Sequence, residues 1–256
     1  MKTRFAQALA AAAFLLVTAC SHSSPAPDPA PRTEGAPSPT RDQTDLVAAL
    51  RRTQGVPHRF TVDADLPKSQ HLQGTGAFDV TKLQYTSSTE LSDPKNPSAL
   101  DRIVVGTDYY QREPGESWIH VDLRRLKEDS RLHFAMADAT GLLQFADAIT
   151  DVRKTDAITD KQKTGPTTYT GRFRPDTEDF TEPFLPIGAP SLWSIGMRVS
   201  PFTVTVDTQG WVTAITMELT PTDSPTLRME AKLSEHGKPL DVERPTAQEA
   251  DDTLYE

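Results

Sequence analysis

The chain has 256 residues, 36% of them hydrophobic, a single Cys and a formal net charge of −9. That length suits one large domain or two small ones, and the balance of apolar and charged residues is that of a globular protein. A mean hydropathy of −0.49 without an apolar run of 18 residues excludes a polytopic membrane protein. One Cys excludes an internal disulfide and any cysteine-based zinc site, and the acidic total argues against a nucleic-acid partner, because phosphate contacts need clustered Lys and Arg.

Lys2 and Arg4 precede an unbroken apolar stretch from Ala8 to Val17. It is too short to span a bilayer and has the length of a signal-peptide core. It ends in Val17-Thr18-Ala19-Cys20, which resembles the bacterial lipobox. The resemblance implies a lipoprotein signal peptide over 1–19 and a mature chain that starts at a lipidated Cys20. The alternative is an ordinary Ala-x-Ala-like cleavage with a bystander Cys. The single Cys stands where the motif requires it, which favours lipidation. Two acyl chains on Cys20 anchor a protein stably, at about 0.8 kcal/mol per buried CH₂. The expected location is the extracytoplasmic face of the cell membrane. The mature chain loses two basic residues and no acid, for a net charge of −11.

Residues 20–41 read as the lipidated Cys followed by a tether. Ser21 to Thr40 holds six Pro and no aromatic or large aliphatic residue, so it cannot bury enough surface to fold. The domain is expected over 42–235. Asp42 to Thr53 predicts a helix with Asp42 as N-cap and Leu46, Val47 and Leu50 on one face, stopped by Gly55 and Pro57. From His58 the period becomes two: Phe60, Val62, Ala64 and Leu66 face one way, Asp63 and Asp65 the other. Leu72 to Phe78, Leu83 to Leu91, Leu100 to Val105, Tyr109 to Arg112 and Trp118 to Leu123 continue as short strands with short connections. That pattern is an antiparallel meander. A charged loop, Arg124 to Arg131, follows it.

Helical spacing returns at Asp138, the candidate N-cap, with Leu142, Phe145 and Ile149 on one face. Strands are expected again over Thr150 to Thr155 and Thr167 to Arg174. Phe180 to Met197 is apolar but broken by three Pro and two Gly. It reads either as a lid over an apolar cavity or as an irregular loop that plugs the core. Phe202 to Val206, the turn Asp207-Thr208-Gln209-Gly210 and a return from Trp211 through Ile215, Met217 and Leu219 form the clearest hairpin. Leu227 to Leu233 is the last strand. The segment 236–256 is acidic, poor in apolar residues and expected to pack weakly.

The order lipobox, Pro-rich tether, helix, meander, helix and further strands resembles the LolA-like lipoprotein superfamily, and within it the LppX/LprG-type lipoproteins of actinobacteria. Trp118-Ile119-His120-Val121-Asp122, Thr168-Tyr169-Thr170-Gly171-Arg172-Phe173, Val204-Thr205-Val206-Asp207-Thr208-Gln209-Gly210 and Gly237-Lys238-Pro239-Leu240-Asp241-Val242 carry it. The resemblance implies an α+β fold: a curved antiparallel sheet, a half-barrel, wrapped around a few helices with an apolar cavity between. It also implies that the partner is a lipid or acylated ligand. The long tether and the charged loop depart from the family pattern.

No G-x-S-x-G, H-E-x-x-H, P-loop or G-x-G-x-x-G occurs, and the six His are scattered, so no enzyme, metal or cofactor is expected. His120 reads as a surface residue opposite Ile119 and Val121, and the Asp63/Asp65 pair as a solvated face. Apolar surface is what remains. The candidate ligand-binding set begins with Phe60, Val62, Phe78, Tyr85 and Val105 in the meander. Ile119, Val121, Phe145 and Phe173 continue it, followed by Leu185, Trp193 and Ile195 in the broken segment. Val204, Ile215 and Met217 close it. A plain core role is the simpler reading of each. The expectation is therefore a non-catalytic lipoprotein that binds a lipid or acylated ligand. The alternative is an envelope sensor or interaction lipoprotein with a filled core and a protein partner.

Overall fold

A computed structural model describes residues 38–93, 95, 97–127, 130, 136–155, 165–174, 199–220 and 225–255. Helix α1 spans Arg41–Gln54. Its N-cap is Thr40 rather than Asp42: the Thr40 hydroxyl accepts from Gln43 N at 3.2 Å. Asp42, freed from capping, accepts instead from the backbone of Lys154 at 2.9 Å. Leu46, Ala49 and Leu50 are buried, and Gly55 ends the helix as its C-cap.

A meander of six strands follows: β1 His58–Leu66, β2 Gln70–Asp79, β3 Gln84–Ser92, β4 Ser98–Val105, β5 Asp108–Arg112 and β6 Trp118–Asp122. β3 starts one residue later than the alternation predicts. Leu83 takes the left-handed conformation (φ 52) in the turn and stays exposed. The second helix is shorter than its apolar spacing implies. α2 covers Leu142–Ala148, and the Asp138 carboxylate reaches past Gly141 to accept from Leu143 N and Gln144 N, each at 2.9 Å. The remaining strands are β7 Ile149–Thr155, β8 Thr167–Phe173, β9 Ser200–Val206, β10 Val212–Leu219, β11 Leu227–Ser234 and β12 Ala247–Glu249.

All twelve join one open sheet in the order β12-β6-β5-β4-β3-β2-β1-β11-β10-β9-β8-β7. Among the described residues every pairing is antiparallel except β12 with β6. The closing pair is β1 with β11, which ties the first meander to the C-terminal strands. This is the α+β half-barrel, a curved antiparallel sheet with helices on one face. α1 packs on α2, β7 and β10, and the apolar rows of the strands merge with both helices in one core.

Two glycines make that core possible. A Cβ on Gly76 would collide with the ring of Phe60, its neighbour across β1 and β2. A Cβ on Gly171 would lie 2.7 Å from Phe202 Cζ, across β8 and β9. At each glycine an aromatic ring from the neighbouring strand takes the space a Cβ would need.

The segment 236–256 does not pack weakly. It returns to the sheet edge, places β12 beside β6 and buries Leu240 to 4% exposure. The Tyr255 hydroxyl accepts from Asp122 N at 3.1 Å. Few apolar residues are needed, because backbone pairing and side-chain hydrogen bonds hold it. Among the described residues no helix is long and apolar enough to cross a membrane.

Candidate ligand cleft

The structure brings ten of the proposed ligand-binding residues into a single cluster: Phe60, Val62, Phe78, Tyr85, Val121, Phe145, Phe173, Val204, Ile215 and Met217. They fill the space between sheet and helices with close ring contacts. Phe60 stacks on Tyr85 at 6.0 Å between centroids, and Phe145 meets Phe173 at 5.3 Å and Phe202 at 5.2 Å. Their role in this structure is core packing.

Two of the set do not belong to it. Val105 alternates with the core residue Val104 and faces the opposite side of the sheet, near Asp108. Ile119 shares the side of Val121 but is 39% exposed. Its cross-strand neighbour is Gln111, which in turn pairs with Arg102, so the row turns polar there and offers Ile119 no apolar cover. Leu185, Trp193 and Ile195 lie outside the described residues, as do Val17, Thr18, Ala19 and Cys20.

One opening lined by core residues lies between α1 and the β8–β9 pair. It is a cleft of ≈ 570 Å³. On the helix side Ala48 and Ala49 contribute the apolar lining, between Asp45 and Arg52. Its sheet wall is Tyr169 and Val206, both part of the buried cluster. Asp45, Arg52 and Asp207 form a charged rim. Burial pushes the Tyr169 phenol above its usual range, and Asp45 and Asp42 push it further, so the hydroxyl stays neutral.

The rim is held by the hairpin turn. Gly210 has φ +85, and a Cβ there would meet Arg52. With the glycine in place, Arg52 Nη1 donates to Gln209 O at 3.3 Å and its guanidinium lies 5.9 Å from the Trp211 ring. Asp207 Oδ1 accepts from Gln209 N and Trp211 N, both at 2.9 Å, which fixes the turn. The cleft therefore offers a ligand a small apolar floor within a lining that is mostly polar, charged or glycine. Sequence reasoning missed Ala48, Ala49 and Tyr169 as lining. The signal available was the Ala-Ala pair inside an otherwise bulky helical face.

The residues weighed for chemistry are held in ion pairs and hydrogen bonds along the sheet. Asp63 and Asp65 stand on the polar face of β1, 3.5 and 3.2 Å from His71. His120 is less exposed than a surface reading implies: Nδ1 lies 2.9 Å from Glu249 and Nε2 3.2 Å from Asp108, so it ties β12 to β5 across β6. Among the described residues no group of His, Cys, Asp and Glu side chains is arranged to hold a metal ion.

No protein-family model matches the chain, and no curated protein matches it. Solved structures do show partial likeness. An uncharacterized conserved protein from Thermus thermophilus is 6% identical over 83% of this chain and 92% of its own, with a TM-score of 0.35. A LolA superfamily protein from Nitrosomonas europaea is 8% identical over 84% and 97%, with a TM-score of 0.27. A beta-barrel-like protein of a domain of unknown function from Brucella abortus is 13% identical over 71% and 97%, with a TM-score of 0.26. At these scores the likenesses bear on neither ligand nor activity.

Proposed function

We propose that this chain is a cell-envelope lipoprotein, anchored through Cys20 on the extracytoplasmic face of the membrane, that binds one lipid or acylated ligand without catalysis. The observation that carries the ligand half is the cleft between α1 and β8–β9, where Ala48 and Ala49 on the helix and the largely buried Tyr169 and Val206 on the sheet form the apolar part of the lining. Burial of an apolar tail there contributes about 25 cal/mol per Å² of apolar area, and the rim of Asp45, Arg52 and Asp207 offers a polar head group both signs of charge. The lipobox and Pro-rich tether support the anchor. Kinship with the LppX/LprG-type lipoproteins rests on the sequence motifs quoted above.

A second reading, an interaction lipoprotein for a protein partner, is favoured by the dense packing of the ten clustered residues. Native mass spectrometry of the full chain, purified from a bacterial envelope and extracted with organic solvent, decides between them. A reproducible added mass that extracts as lipid is expected. A bare polypeptide that takes up no offered phospholipid would select the interaction reading. For the anchor, a Cys20→Ser chain that still fractionates with the membrane would overturn lipidation.

A further inference from the structure

The face of the sheet opposite the helices carries a groove of ≈ 520 Å³ across β1 to β6, remote from the α1 cleft. It is not the smooth polar surface that a solvated sheet face needs. Trp118 lies half-buried in its wall, and the Arg112 guanidinium covers one side of the indole at 4.5 Å. Among the described residues Arg112 donates only through Nε, to Asp101 Oδ2 at 2.9 Å, which leaves both Nη groups with donors to spare. Across the groove the register aligns Thr61 with Thr75 and Thr75 with Ser88, and Thr86 stands beside them on β3. The hydroxyls of these four residues have no protein partner among the described residues.

Of the charged residues that line the groove, Arg112 pairs with Asp101 and Arg59 with Glu235 at 2.6 Å, and Arg102 belongs to the row of Ser87 and Gln111 on the other side of the sheet. An anionic ligand would meet a neutralised site beside a carboxylate, and a purely apolar one would strand the hydroxyls. An aromatic wall, an Arg–Asp pair that both donates and accepts, and a grid of free hydroxyls together match a ligand that is uncharged, rich in hydroxyls and apolar on one ring face. We propose that this groove is a second binding site, for a neutral saccharide. It is independent of the acyl-ligand reading.

The test is titration of the full chain with neutral trisaccharides of glucose and of mannose, in α and β linkage, with uronic-acid trisaccharides as anionic comparators. Tryptophan fluorescence and ligand-observed NMR read the binding. At least one neutral trisaccharide is expected to bind, with affinity reduced at least about tenfold in Thr75→Val and in Trp118→Ala. Thr75 is exposed, so Thr75→Val keeps the wild-type thermal midpoint and carries the test if Trp118→Ala fails to fold. No binding of any neutral trisaccharide, tighter binding of the anionic set, or wild-type affinity in Thr75→Val overturns the proposal.

Discussion

The imidazoles of His58 and His236 lie 6.3 Å apart, and His236 stacks in turn on Trp211 at 5.6 Å with only 5° between the rings. Nε2 of both histidines is buried without a partner among the described residues, while His58 Nδ1 lies 2.9 Å from Val56 O. Burial holds the His58 imidazole down to about 4, and it lowers His236 as well.

Acid therefore acts on this seam with a defined sign. The folded protein binds fewer protons at His58 than the unfolded chain does, so that contribution is complete above the ordinary value of 6.5 and is lost as the pH falls towards 4. Burial raises Asp138 to about 6, so at that residue the folded state binds more protons and acid stabilises. The expected outcome is a gap in unfolding free energy between wild type and His58→Gln that shrinks by about 2 kcal/mol from pH 7 to pH 5. Against Asp138→Asn the wild type gains instead. Urea melts across that range check both signs.

Gly171→Ala is expected to cost about 1–3 kcal/mol by overpacking. The new Cβ would meet Phe202 at 2.7 Å and the Thr150 carbonyl at 2.9 Å. Phe202→Leu on the same background relieves the side-chain half of the clash and leaves the backbone half. A double-mutant cycle in chemical denaturation measures the coupling.

Thr53 joins α1 to the sheet from a fully buried position, where its Oγ1 accepts from Val212 N at 3.0 Å. Thr53→Val leaves that N–H buried and unpaired, at a cost of about 1–3 kcal/mol, while Thr53→Ser keeps the bond. Equal midpoints for the two variants would show that packing, not the hydrogen bond, sets the loss.

Ala48 is exposed on the cleft wall. Ala48→Trp is expected to fill the opening and reduce uptake of a phospholipid by about tenfold or more while the thermal midpoint changes little. Lipid counted by native mass spectrometry against wild type checks it. Undiminished uptake moves the ligand away from this cleft.

Removal of residues 236–256 is expected to lower the thermal midpoint by several degrees, because it exposes the β6 edge and strips away Leu240 and the Tyr255–Asp122 hydrogen bond. Leu240→Ala in the full chain isolates the apolar share, about 2 kcal/mol or more.

Much of this architecture is written in local pattern. The alternation of Phe60, Val62, Ala64 and Leu66 set the core face of β1 without reference to any other strand. Asp207 and Gly210 specified their turn because few other residues accept both its hydrogen bonds and its positive φ. Period two says which residues share a face, but not what will cover it. That is why Val105 and Ile119 could not be sorted from Val104 and Val121 in advance. Only tertiary structure decided that an acidic tail would pair with β6, that β1 would close on β11, and that two alanines of α1 would line a cleft with Tyr169. Each of these rests on contacts between residues far apart in the chain, and no local spacing encodes them.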